Sequence, residues 1–300
     1  MTHTWIILCF ILVSCFGSPV STFIKDASSH KELSAEQKAY WYAGEAELTS
    51  YQLKQARYGE IHEGQAVLIF VTEPFSTKNW TKADEPTSSD VPVLKLNFTK
   101  KFNTGIYPYS MMTSTFLPVD GAVKSLKISS SSQEWCGHTY MEMRNKLSYE
   151  FKTDSYFESE SGTFNLKKDY LEDDLWSIIR LHPDLLPEGE IAVIPSFFYL
   201  RLRHKEAKAY TCQIAKEKVN ATTTSYTLTY PELERTLRIN YQTQFPYQII
   251  SWEETYLSGW GESKEKLTTT AEKIKTLNSA YWTKNSNKDS GLRTELGLNQ

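Results

Sequence analysis

The sequence predicts a mainly β protein: a large curved antiparallel sheet or a partly closed barrel, with one covering helix and a short N-terminal helix. Three observations lead there. The chain is rich in aromatic residues, with 18 Tyr, 14 Phe and 8 Trp among 300 residues, and such side chains suit pleated, half-buried surfaces better than helix bundles. Apolar residues recur at every second position in one segment after another, with turn-forming residues between, which is the pattern of consecutive antiparallel hairpins. About ten such segments can be traced, and an open twisted sheet of that size curls or splits.

Composition narrows the class further. Hydrophobic residues make up 40% and charged residues 23% of the chain, ordinary globular values that exclude wholesale disorder. A net charge of −3 provides no field to hold a phosphate backbone, so nucleic acid is not an expected partner.

The elements follow in order. Residues 5–13 form an apolar run of signal-peptide length, too short to span a bilayer, although no Lys or Arg precedes it. Leu12-Val13-Ser14-Cys15 then has the form of a bacterial lipobox, so Cys15 is expected to become the lipidated N-terminus; ordinary signal cleavage nearer Gly17-Ser18 is the alternative. The expected organisation is a lipoprotein signal peptide (1–14), a tether (15–33), a single β-rich domain (34–284) and a flexible C-terminal tail (285–300). Ser34-Ala35-Glu36-Gln37 has the form of a capping box and opens a short helix that ends at Gly44. Strands are expected over 46–58 and 65–73, the second apolar on both faces between Val67 and Val71 and therefore central. The Thr-, Ser-, Asp- and Pro-rich stretch 74–92 reads as a long exposed loop. Alternation resumes over 94–99, 106–116, 124–128 and 139–151, with the polar run 129–132 inside the same ribbon. Residues 169–181 carry a helical apolar stripe (Leu171, Leu175, Trp176, Ile178, Ile179) and lie across the sheet. Strands follow over 190–204, around Cys212, 226–230 and 237–241, and a last one over 247–257. Beyond Gly259 the chain turns to Thr and Lys, with Ile274, Leu277 and Trp282 docking a terminal segment outside the sheet.

Motifs for a nucleophile elbow, a P-loop or a zinc protease are absent, and the six histidines are too scattered in sequence to suggest a metal site. No cofactor is expected. The sharpest local cluster is 133–140, where an extended strand would put Glu134, Cys136, His138 and Tyr140 on one face; a Cys136–His138 pair could serve as a nucleophile, or the same residues could be core and turn. Cys136 and Cys212 are the two cysteines of the expected mature fold. They could pair in an oxidising compartment or be buried separately as small hydrophobes.

Taken together, the segments 40–44 (YWYAG), 55–60 (QARYGE), 100–109 (KKFNTGIYPY), 133–138 (QEWCGH) and 245–254 (FPYQIISWEE) resemble a family of flavobacterial-type exported lipoproteins of unknown function. Members of that family are often labelled septum formation inhibitor Maf, but the Ser-Pro-Arg-Arg type motif of true Maf pyrophosphatases is not in this sequence. The strand and helix order also resembles an exported DUF3108-type β-fold. The resemblance implies export and lipid anchoring and transfers no catalytic residue.

The leading expectation is therefore a non-enzymatic lipoprotein of the bacterial cell envelope, facing the periplasm and held to a membrane by its N-terminal lipid. Its concave aromatic sheet face would bind an apolar or saccharide ligand, or its surface an envelope protein. The alternative is a thiol-dependent hydrolase or transferase using Cys136 and His138, with Glu134 beside them.

Overall fold

Most strands pair with a neighbour in sequence, and the product is one continuous sheet. A computed structural model describes residues 31–261 and 264–298. In chain order the elements are α1 (Ala35–Trp41), β1 (Ala46–Arg57), β2 (Glu60–Ser76), β3 (Thr81–Lys82), β4 (Val91–Thr104), β5 (Tyr107–Pro118), β6 (Lys127–Glu134), β7 (Gly137–Asn145), β8 (Tyr149–Asp154), β9 (Gly162–Leu166), β10 (Tyr170–Leu171), α2 (Glu172–Leu181), β11 (Gly189–Ile194), α3 (Phe197–Arg203), β12 (Tyr210–Lys218), β13 (Thr223–Tyr230), β14 (Arg235–Gln242), β15 (Ile249–Ser258), β16 (Glu265–Ser279) and α4 (Gly291–Glu295).

The sheet runs β10-β11-β12-β13-β14-β15-β16-β1-β2-β4-β5-β6-β7-β8-β9, with β3 paired to β2 off this path. Its pairs are antiparallel except the short parallel one between β10 and β11. The sheet is strongly curved but does not close into a barrel: β9 and β10 are its two free edges. The curvature follows from what α2 touches. Trp176 meets Phe98 of β4 and Trp252 of β15, Arg180 meets Glu47 of β1, and Glu172 meets Arg235 of β14. Strands far apart in the sheet order thus converge on one helix, and every residue of α2 is buried.

The capping box forms as the sequence predicts. Ser34 Oγ accepts from Gln37 N at 3.1 Å and Gln37 Oε1 accepts from Ser34 N at 2.8 Å. Gln37 Nε2 then donates to the carbonyl of Leu181 at 2.6 Å, fastening α1 to the end of α2.

The structure departs from three of the expected elements. The strand expected over 190–204 ends at Ile194, and Phe197–Arg203 is a helix, α3. Ser196 caps it, its Oγ accepting from Phe198 N at 3.3 Å, and the Asp173 carboxylate accepts from Phe197 N at 2.9 Å. Phe197 and Leu200 pack in one apolar cluster while Phe198, Tyr199 and Leu202 pack in another, so α3 is buried on two sides and its apolar pattern imitates a strand. The strand expected to be last is followed by β16, which hydrogen-bonds β15 on one side and β1 on the other and so joins the two halves of the sheet. Ile274 and Leu277 lie within it. The stretch 74–92 is not one open loop: β2 continues to Ser76, β3 pairs back on it, and Trp80 and Ala83 are buried. At the C-terminus, Leu296 packs with Ala46, Leu48 and Val71.

Candidate ligand-binding cleft at the open seam

Where the sheet fails to close, α3 and the loop after it face β6–β9 across a cleft of about 600 Å³. Met141, Phe164, Leu166, Phe197 and Leu200 form its apolar wall; Ser130, Ser132, Thr139 and Thr153 add hydroxyls; Glu160, Arg201, His204, Lys205 and Glu206 supply charge. The wall is set by the second core cluster, in which Phe151 stacks on Phe164 with ring centroids 5.0 Å apart. Such a mix of apolar lining and a few convergent polar groups is typical of small-molecule sites.

Arg201 is the central polar group. Its Nε donates to Thr139 Oγ1 at 3.0 Å, and its guanidinium carbon lies 5.1 Å from the centroid of the Phe157 ring. The nearest carboxylate, Glu134, stands 4.0 Å from Nη2, longer than a charge-assisted hydrogen bond. Both side chains are largely shielded from water, at 11% and 4% exposure. His204 ends α3 in the left-handed conformation, with φ of 49°, and its Nδ1 pairs with the Glu160 carboxylate across the cleft mouth. Phe157 and Trp260 flank the imidazole with ring centroids 5.0 and 5.9 Å away.

The sequence-predicted candidates separate. Cys15 lies outside the described residues. Glu134 pairs across the hairpin with Gly137, leaving Trp135 and Cys136 as a two-residue turn. That turn shifts the parity: His138 pairs with Gln133, whose side chain is on the other face from Glu134, so Cys136 and His138 do not share a strand face. The Glu134 carboxylate accepts from Cys136 N at 2.6 Å, and its hydrogen bond and charge raise the thiol pKa above its ordinary value. A nucleophilic cysteine requires the opposite shift. Nor do Cys136 and Cys212 join: both are free thiols, the first exposed at the turn and the second buried in the core of β12, where burial pushes its pKa up to about 12. Cys136→Ala is therefore expected to leave thermal stability and ligand uptake unchanged, as read by melting and by probe titration.

Arg201, His204, Glu160 and Phe157 were not singled out by the sequence. The available signal was the Arg201-Leu-Arg203-His204 cluster at the end of an aromatic run, which is unremarkable until α3 is known to be a helix. Among the described residues no helix is long and apolar enough to cross a membrane, and no group of three His, Cys, Asp or Glu side chains is placed to hold a metal ion. Fold and cleft describe a curved-sheet protein wrapped on a buried helix, with a pocket at its seam. No family model, no curated protein and no solved structure matches this chain.

Proposed function

We propose that the chain is an exported, lipid-anchored protein of the bacterial cell envelope that binds an amphiphilic molecule in the seam cleft, its apolar body against Phe164, Leu166 and Leu200 and its anionic head on Arg201. The observation that carries this is Arg201: a guanidinium at the cleft wall, shielded from water, with its nearest carboxylate 4.0 Å away. Desolvated arginine so placed favours a bound anion. The reading moves the ligand away from the concave aromatic face, because Trp176, Trp252, Phe98 and Phe198 fill that face themselves.

Export and anchoring rest on the apolar run 5–13 and the lipobox-like 12–15, with the resemblance to exported lipoproteins beside them. Metabolic labelling with an acyl analogue should mark the wild type and not Cys15→Ala; labelling of both, or of neither, would overturn the anchor.

For the cleft, a fluorescent fatty-acid probe should bind the purified chain and be displaced by lipid extracted from it. Losing one charge-assisted hydrogen-bond partner is worth about 1.5–3 kcal/mol, so Arg201→Gln should weaken probe binding about tenfold or more. Phe164→Ala should weaken it through lost apolar contact. Undiminished binding by Arg201→Gln, or no uptake by the wild type, would sink the proposal.

A further inference from the structure

Antiparallel pairing fixes which turns share an end of the sheet. The turns of β1–β2, β4–β5, β6–β7, β8–β9 and β15–β16 all lie at one end, together with the end of α3. Their tips carry large apolar side chains facing solvent: Tyr58, Ile106, Trp135, Tyr156, Phe157 and Trp260, with Ile106 at 81%, Trp135 at 68% and Tyr156 at 60% exposure. Isolated exposed hydrophobes need no explanation, but six on successive hairpin tips at one end do.

The tips are held in place. A Cβ at Gly137 would come within 2.7 Å of the Tyr156 ring, so that ring rests on the glycine and ties the β6–β7 and β8–β9 turns together. Trp135 lies 6.4 Å from Tyr107, and Tyr156 packs on Phe157 at 5.2 Å between ring centroids. Behind the rings stand guanidinium groups: Arg57 lies 4.2 Å from the Tyr58 ring, Arg201 5.1 Å from Phe157, and Arg203 5.6 Å from Trp260.

We propose that this end rests on the surface of a phospholipid bilayer, with the aromatic and Ile tips at headgroup depth and the cleft mouth facing the lipid. Three features favour a bilayer over a protein partner. The apolar groups sit on the tips of successive hairpins and project furthest into solvent there, so they can enter a fluid surface together. Trp and Tyr are the side chains that settle at the membrane–water interface, with one face apolar and one end wet. Of the arginines behind them, Arg57 is buried and donates to Leu202 O and the Tyr58 and Tyr109 hydroxyls, whereas Arg201 and Arg203 are partly exposed at the rim, within reach of a lipid phosphate; the cleft shares Glu160, Arg201 and His204 with this rim. Glu60 and Glu158, with Glu232 and Glu234 on the β13–β14 turn at the same end, offset the arginines, so apolar insertion, and not net charge, would drive binding. The inference builds on the amphiphile reading of the cleft and gives its ligand a source.

The test uses the full chain carrying Cys15→Ala, with and without Ile106→Ser, Trp135→Ser and Tyr156→Ser together. These tips are exposed, so folding should be kept, which a melting curve verifies. The chain with intact tips should float with zwitterionic phosphatidylcholine vesicles, and brominated phosphatidylcholine should quench part of its tryptophan emission. The triple variant should bind roughly tenfold or more weakly, while keeping probe uptake in solution; flotation of the chain with intact tips in the absence of any probe uptake would count against the cleft and not against the membrane face. Equal flotation of both chains, or protection of the tips from modification by a protein with no vesicle binding, would overturn the proposal.

Discussion

Arg235→Ala is expected to destabilise the fold by about 3–5 kcal/mol, because it strands two carboxylates in the interior. Arg235 is 1% exposed. Its Nη1 and Nη2 donate to Glu172 at 2.5 and 2.6 Å, its Nε donates to Glu254 at 2.8 Å, and Tyr230 adds a hydroxyl to Glu172 at 2.7 Å. A planar guanidinium serves both carboxylates at once; an ammonium cannot, so Arg235→Lys should fall between wild type and alanine. The whole network is not expected to be more stabilising than well-packed apolar residues would be. Its removal by halves is what costs. For a chain of this size the loss should lower the melting temperature on the order of 10 °C. A change below about 1 kcal/mol, within the range of exposed pairs, would show that water reaches Glu172 and Glu254. The effect should also reach the cleft. Glu172 opens α2, the next residue Asp173 holds the N-terminus of α3, and α3 is one wall of the cleft. Probe affinity in Arg235→Lys should therefore decline along with stability.

How much of this was legible in the sequence depends on whether a residue's role shows in its local pattern. The β class, the capping box at Ser34 and the buried helix were, the last expected over 169–181 and found over Glu172–Leu181, because each rests on periodicity or on a cap that acts over a few residues. β16 was not. It reads EKLTTTAEKIKTLNS, and only Thr269, Ala271 and Ser279 are buried in it. Its inward face is small because Gln55 and Tyr256 crowd that side, Gln55 Nε2 donating to Thr269 Oγ1 at 3.0 Å and to Tyr256 Oη at 3.2 Å. A central strand with small inward residues has no apolar alternation to detect, and only its partners on both sides reveal it. α3 failed for the opposite reason: Phe198, Leu200 and Leu202 alternate, yet all are buried because two apolar clusters flank the helix. The cleft residues come from β6–β9 and α3, more than thirty positions apart in the chain, and nothing in a linear reading places Glu160 opposite His204. The hairpin turn at Trp135–Cys136 likewise decides the separation of Cys136 from His138, and an unbroken strand was the assumption that joined them.

Between about pH 4 and pH 7 the folded chain is expected to lose stability as pH rises, because Asp173 and Asp174 are wholly buried at the start of α2. Burial is the main cause that pushes each carboxyl from the ordinary 3.8 up to about 7. The unfolded chain releases both protons near pH 4, whereas the folded chain keeps them until about pH 7. Over that window the native state binds more protons, so its advantage is full below about pH 4, declines through the window and levels off above it. Each carboxyl can contribute at most about 4 kcal/mol, from the conversion of roughly 1.4 kcal/mol per pKa unit. One group works against this. Burial lowers the pKa of His182, which favours the folded state as pH rises to the ordinary imidazole value. Glu47, held low by Arg180, acts only below the ordinary carboxylate range and leaves the window untouched. The hydrogen bonds at both aspartates are accepted by a carboxyl oxygen, from Phe197 N at 2.9 Å and Ser125 N at 3.0 Å. Asparagine keeps that acceptor and removes the titration. Asp173→Asn and Asp174→Asn together should therefore flatten the profile and stabilise the chain most at pH 8, in urea titrations run at several pH values. A wild type whose stability does not fall over this range, or a double variant that keeps the slope, would mean that the two carboxyls ionise freely inside the fold. Because Asp173 caps α3, the same titration should reach the seam: with pH rising toward 8, probe affinity should fall in the wild type and hold steady in the double variant.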